Sequence, residues 1–163
     1  INYNGYGARL EELHFEPADL YRRVSRYASP FDFMVDARED FERLESGYRD
    51  DMAAASALTP EYLDDSVAAF LLPDAPWARR VSGVFSNDLA NANPRRAHAV
   101  ITAKSEGTYL VSVRAPLDNK TGADELCREF PTGGGRKAAA GINDLPGDSL
   151  QAFIDRFASF YAR

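Results

Sequence analysis

The residues best suited to chemistry lie in Phe130-Pro131-Thr132-Gly133-Gly134-Gly135-Arg136-Lys137-Ala138-Ala139-Ala140-Gly141. Three successive glycines admit positive φ and clear side chains from the path of a ligand. A loop of that kind can turn several N–H groups toward one point and so make a nest for an anion. Arg136 and Lys137 follow and add full positive charge; a guanidinium can grip a phosphate through two parallel hydrogen bonds. The competing reading is a flexible surface loop with two solvated cations, because a glycine run alone is weak evidence. The neighbouring sequence favours the anion site. Val111-Ser112-Val113-Arg114-Ala115 sets an arginine at the end of a predicted strand, and a helix leads from there to the glycines.

The elements that must hold these residues follow from periodicity. Residues 1–16 lack a regular pattern. A helix is expected from Pro17, with Leu20, Val24 and Tyr27 at helical spacing, and Ser29-Pro30 should stop it. A longer helix is expected from about Phe33 to Ala57, with Phe41, Leu44, Tyr48, Met52 and Ala55 on one stripe and charged residues elsewhere. The run Val67–Leu72 reads as a buried strand. Asp74 is placed as the cap of a helix that has Pro76 in its first turn and Val81, Val84, Phe85 and Leu89 on its inner face. Ala97–Ala103 and Thr108–Ala115 form a hairpin around Lys104-Ser105-Glu106-Gly107. A helix over Ala123–Phe130, a short strand over Ala139–Ile142 and a helix over Ser149–Ala162 complete the chain. The fold class expected is α/β: a small mixed β-sheet covered by helices, preceded by a helical connector.

Composition narrows the function classes. The chain has 163 residues, 45% of them hydrophobic and 12% aromatic, which excludes a wholly disordered protein. Its formal net charge of -6 argues against general electrostatic attraction to nucleic acid. The charge is uneven, however. Residues 1–75 carry 16 acidic and 7 basic side chains, whereas residues 76–163 carry 9 and 12, so an anionic ligand belongs to the second half. One cysteine excludes a disulfide framework and a thiolate zinc site, and suits a reducing, cytoplasmic setting. No apolar run approaches the roughly 20 residues that span a bilayer, so no membrane association is expected. The first residue is Ile1, which suggests a fragment of a longer protein.

Other side chains carry weaker signals. Asp50-Asp51 and Asp64-Asp65 could be metal carboxylates, but their positions at helix ends or on a charged face favour solvated structure. His14, between Leu13 and Phe15, reads as a partly buried hydrogen-bonding residue, and His98 as structural or rim. Cys127 falls on the apolar stripe of its helix and reads as core. Trp77 and Tyr109 could stack on a base, yet packing is the simpler role. Arg95-Arg96 reads as a solvated loop, with extension of the basic rim as the alternative.

The order of elements around 111–142 resembles the DHH-associated C-terminal domain of DHH-family phosphoesterases. That family includes RecJ-like exonucleases, nanoRNases and exopolyphosphatase-like proteins. Its pattern is a strand ending in Ser-x-Arg, a helix, then Gly-Gly-Gly-His-x-x-Ala-Ala-Gly and a final helix. The similarity covers about residues 67–163. Arg136 stands where the family usually has His, and Ala138 where Asn is often found. An arginine after the glycines also occurs in the related C-terminal domain of alanyl-tRNA synthetases.

The resemblance implies that residues 1–60 are the closing segment of a catalytic domain and a helical connector, and that residues 61–163 are the substrate-binding domain. It implies phosphate contact by Arg114, approach of the substrate backbone to Gly133, Gly134 and Gly135, and a cleft position for Arg136, with Lys137 as a supporting charge. It implies no catalytic or metal-ligating residue in this chain. Two divalent metals, commonly manganese, would sit in an N-terminal catalytic domain of the same protein that precedes Ile1, where they activate water. The expected partners are a nucleotide or short oligonucleotide, that catalytic domain, and a second copy, since dimers are common in the family. Two alternatives stay open: a non-catalytic nucleic-acid-binding module, and an exopolyphosphatase-like hydrolase using the same cations.

Overall fold

A computed structural model describes residues 1–162. The chain divides into two compact units: Ile1–Ser56 with Pro76–Val81, and Ala57–Ala75 with the residues from Ser82 onward.

The first unit is helical. Pro17 occupies the first turn of α1 (Pro17–Val24), as its fixed φ favours. Ser29-Pro30 does more than stop a helix. The Ser29 hydroxyl accepts the Phe31 N–H at 3.1 Å and Pro30 opens α2 (Pro30–Asp36). The single long helix expected from Phe33 is therefore two, because Ala37 (φ -111°, ψ 46°) breaks the path before α3 (Arg38–Ser56). Phe15, Leu20 and Leu44 form a small core, and the Arg43 guanidinium lies 4.5 Å over the Phe15 ring.

The second unit is a six-stranded mixed sheet with helices. Its strands are β1 (Tyr62–Leu63), β2 (Val67–Leu72), β3 (Ala97–Ala103), β4 (Thr108–Arg114), β5 (Gly133–Arg136) and β6 (Ala139–Pro146). Their order is β1-β2-β3-β4-β6-β5. Only β2 and β3 are parallel, and α4 (Pro76–Ala92) makes the crossover between them. Asp74 is not the cap of α4: the N-cap is Ala75, extended and without a side-chain hydrogen bond, while Pro76 still fills the first turn. Neither β1 nor β5 is expected from hydrophobic pattern. The first has two residues, and the second is three glycines and an arginine.

Register sorts the residues of the sheet onto two faces. One face carries Val67, Ala69, Ala97, Ala99, Ile101, Val111, Val113, Ala140 and Ile142. It is sealed by Leu126 and Cys127 of α5 (Ala123–Arg128) and by Phe153, Ile154 and Phe157 of α6 (Leu150–Tyr161). On the other face, α4 covers β2, where the Phe70 and Phe85 rings meet edge to face at 5.4 Å. Beyond β4 that second face ends in Ser112, Arg114, Ala139, Gly141, Gly134 and Arg136.

Candidate functional site

Ala139 pairs with Arg114 on one side and with Arg136 on the other. Directly opposed residues of a sheet share a face, so both guanidinium stems rise from the same side. Their Cα atoms lie two strand spacings apart, roughly 10 Å. The adjacent row, Ser112, Gly141 and Gly134, is low, and a Cβ added to Gly134 would meet nothing within 4 Å. The result is a shallow floor of small residues between two arginines.

Arg114 is held in place by neutral groups alone. Its Nε–H donates to Asn87 Oδ1 at 3.0 Å, and Nη1 donates to Ser112 Oγ at 2.9 Å and to the Val113 carbonyl at 3.3 Å. Burial lowers its pKa below the usual guanidinium value, and the nearby Arg136 charge lowers it further. It stays cationic, since arginine keeps its proton in proteins. Among the described residues no carboxylate pairs with Arg114, Arg136 or Lys137. Two cations close enough to repel, with no counter-ion among the described residues, are an arrangement whose repulsion an anion would relieve.

The expected glycine nest takes another form. Gly133–Arg136 is an edge strand rather than a loop, and alternation along a strand sends successive groups in opposite directions. A Cβ on Gly133 would fall 1.7 Å from the Cys127 carbonyl oxygen, so glycine lets β5 lie against α5. Gly135 has φ +143° and its Cβ would meet Ala140 Cα at 2.5 Å. Gly134 alone turns toward the open face. Thr132 leads into β5 with φ 62°, a conformation uncommon for a β-branched residue. It is anchored because its hydroxyl accepts the Asp144 N–H at 2.9 Å. Lys137 lies in the two-residue turn after Arg136 and is exposed.

Asn87 and Ser112, which accept hydrogen bonds from Arg114, are not among the site residues expected from sequence, although Ser112 stands in the Ser-x-Arg pattern. The period of two in β4 would have put Ser112 beside Arg114, whereas nothing local points to Asn87.

The remaining candidates are dispersed. Asp51 is buried rather than solvated: it pairs with Arg80 (Nε to Oδ2, 2.7 Å) and accepts the Tyr3 hydroxyl proton. Since that proton goes to Asp51, His14 Nε2 must donate to Tyr3 at 2.8 Å. Burial lowers the His14 pKa, as does the Arg80 charge. Gly47 makes room for this ring, because a Cβ there would lie 2.4 Å from His14 Cε1. Asp50 and Asp65 are exposed. Asp64 accepts the N–H groups of Ser66 at 2.7 Å and Val67 at 2.8 Å, a turn-stabilising role.

His98 is 1% exposed, and neither ring nitrogen has a hydrogen-bond partner among the described residues. Burial pushes its pKa down to about 4, helped by the Arg96 charge and opposed by the Arg96 backbone, which lies short of full hydrogen-bond geometry. Cys127 is fully buried and its thiol is pushed up to about 12 by burial and by Asp124. Trp77 and Tyr109 are half-buried. No three His, Cys, Asp or Glu side chains gather among the described residues where they could hold a metal. No described helix is long and apolar enough to cross a membrane.

No protein-family model matches the sequence, and no curated protein is significantly similar to it. Solved structures do match. An exopolyphosphatase-related protein from Bacteroides fragilis aligns with 91% of this chain and 40% of its own, at 17% identity and TM-score 0.55. RecJ from Thermus thermophilus, in complex with Mn2+, aligns with 77% of this chain and 18% of its own, at 21% identity and TM-score 0.59. The pGpG-specific phosphodiesterase PggH from Vibrio cholerae aligns with 89% of this chain and 51% of its own, at 14% identity and TM-score 0.60. The chain thus spans 18% to 51% of the length of these three proteins. Its fold is the one shared by the RecJ-like and exopolyphosphatase-related DHH proteins.

Proposed function

We propose that this chain is the substrate-binding part of a metal-dependent phosphoesterase and that it grips the phosphate groups of a nucleotide or short oligonucleotide. The observation that carries this reading is the pair Arg114 and Arg136, both without carboxylate partners among the described residues, flanking a floor that stays open at Gly134. Phosphoryl oxygens are the ligand such a pair suits: they accept two parallel N–H donors and carry the charge that relieves the repulsion. Asn87 and Ser112 orient Arg114 before the ligand arrives, which lowers the ordering cost of binding. Lys137 adds a charge at the rim. Contacts of this kind position a ligand without reading bases.

The known relatives of the fold support a phosphorylated substrate, as the names exopolyphosphatase-related protein and pGpG-specific phosphodiesterase indicate for those proteins. Hydrolysis itself is assigned to a catalytic domain of the same polypeptide that would carry two divalent metals, with ligands that neither His14 nor His98 of this chain supplies. The role of this chain's residues is to bind and orient the phosphate.

The test is binding of a phosphorylated dinucleotide to the chain and to its Arg114→Ala and Arg136→Ala variants. Each substitution removes charge-assisted hydrogen bonds and should cost about 1.5–3 kcal/mol, or roughly ten- to 150-fold in Kd. Unchanged affinity in both variants would reject the assignment.

A further inference from the structure

The described cations of the second unit fall into two groups. Lys104, Arg128 and Arg156 each pair with a carboxylate, Asp144 at 2.6 Å, Asp124 at 2.8 Å and Glu129 at 2.6 Å. Among the described residues Arg95, Arg96, Arg114, Lys120, Arg136 and Lys137 have no ion-pair partner, and all six lie at one end of the sheet. Arg95 and Arg96 lead into β3, Arg114 closes β4, Lys120 follows in the connection to α5, and Lys137 turns β5 into β6.

Backbone hydrogen bonds join these segments into one ridge. The Asp118 N–H donates to the Pro94 carbonyl at 3.2 Å, Ala115 to Ala138 at 3.0 Å, and Ala123 to Lys137 at 3.0 Å. Arg96 is set apart, because its Nε is buried and its charge acts on Asp64 and His98. The other five cations share their segments with only Asp118 and Glu125, since Asp124 is taken by Arg128. General basicity is not the cause: the unit carries 13 acidic and 10 basic residues.

We infer that this ridge extends the phosphate site, so that the ligand is a chain of several phosphates running from Arg136 past Arg114 toward Lys120 and Arg95. From β5 across β6 and β4 to β3 is three strand spacings, roughly 14 Å, more than one phosphate group can cover. The inference rests on the proposed roles of Arg114 and Arg136 and adds to them a preference for length. A single-stranded oligonucleotide and inorganic polyphosphate offer the same chemistry, and the assay separates them.

The assay measures binding of a phosphorylated thymidine dinucleotide, the matching octanucleotide, and short and long inorganic polyphosphate, each across a salt series. Wild type should bind the longer ligand of at least one series about tenfold tighter or more. The double variant Arg95→Ser/Lys120→Ser changes two exposed side chains. It should bring the longer ligand down to the affinity of the shorter and leave the shorter unchanged. Loss of two contacts should also flatten the slope of log K against log salt by about 1.4 for a single-stranded ligand. Length preference with oligonucleotide or with polyphosphate identifies which source the ridge takes. Equal affinity for short and long ligands in both series, with the dinucleotide still bound through Arg114, would overturn the ridge and leave the proposed function standing. Failure of the dinucleotide to bind at all would overturn both.

Discussion

Alanine placed in turn at Gly133, Gly134 and Gly135 separates what the three glycines do for the fold from what they do for a ligand. At Gly133 the new methyl would start 1.7 Å from the Cys127 carbonyl oxygen. An ordinary carbon–oxygen contact is about 3.3 Å or longer, so backbone must move by roughly 1.6 Å. Overpacking of that order costs about 1–3 kcal/mol. At Gly135 the positive φ adds strain to a 2.5 Å approach of the Ala140 backbone, and a loss of similar size is expected. Gly134 is the opposite case. Its Cβ meets nothing and its φ lies outside the left-handed range, so alanine should stabilise the strand by about 0.5–1 kcal/mol through reduced chain entropy.

In thermal unfolding each kcal/mol moves Tm by about 2–4 °C for a chain of this size. Gly134→Ala should therefore melt slightly higher than wild type while the other two melt several degrees lower. Phosphate binding should show the reverse ranking of blame. The methyl at Gly134 lifts the ligand from the floor and should weaken a bound dinucleotide about tenfold, close to 1.4 kcal/mol. A Gly134→Ala variant that keeps full affinity, or that unfolds as readily as Gly133→Ala, would refute the assignment of that face.

Two predictions concern buried titratable groups. His98 keeps a folded pKa of about 4 against about 6.5 when unfolded. The folded state therefore resists protonation: its stability is complete above pH 6.5, declines as pH falls toward 4, and levels off below. The His98 contribution to that loss should reach about 3 kcal/mol. Urea unfolding of wild type and His98→Gln at both ends of that window checks it, and an equal loss in both would remove His98 as the cause. Cys127, with its thiol pushed up to about 12 and fully buried, should resist alkylation in the folded protein and react on unfolding. Rapid labelling of native protein would show that α5 opens.

Much of this protein was decided locally. Alternating or continuous apolar runs specified β2, β3 and β4, and the stripe of Phe153, Ile154 and Phe157 specified α6, because burial of one face is written in residue period. The same local rules mark Arg114, Arg136 and the glycines as candidates, and the motif spacing ties them to a family fold. What local rules could not supply is pairing. Three glycines carry no hydrophobic period, so β5 exists only because β6 offers it a ladder and α5 leaves room beneath Gly133. Asp51 looks like a solvated charge until folding brings Arg80 and Tyr3 to it. The sharing of one face by Arg114 and Arg136 likewise depends on a register through Ala139, which links residues far apart in sequence. Residue type decides which groups can hold an anion; the sheet's register decides that they meet, because side-chain direction in a strand is set by its hydrogen-bonded neighbours.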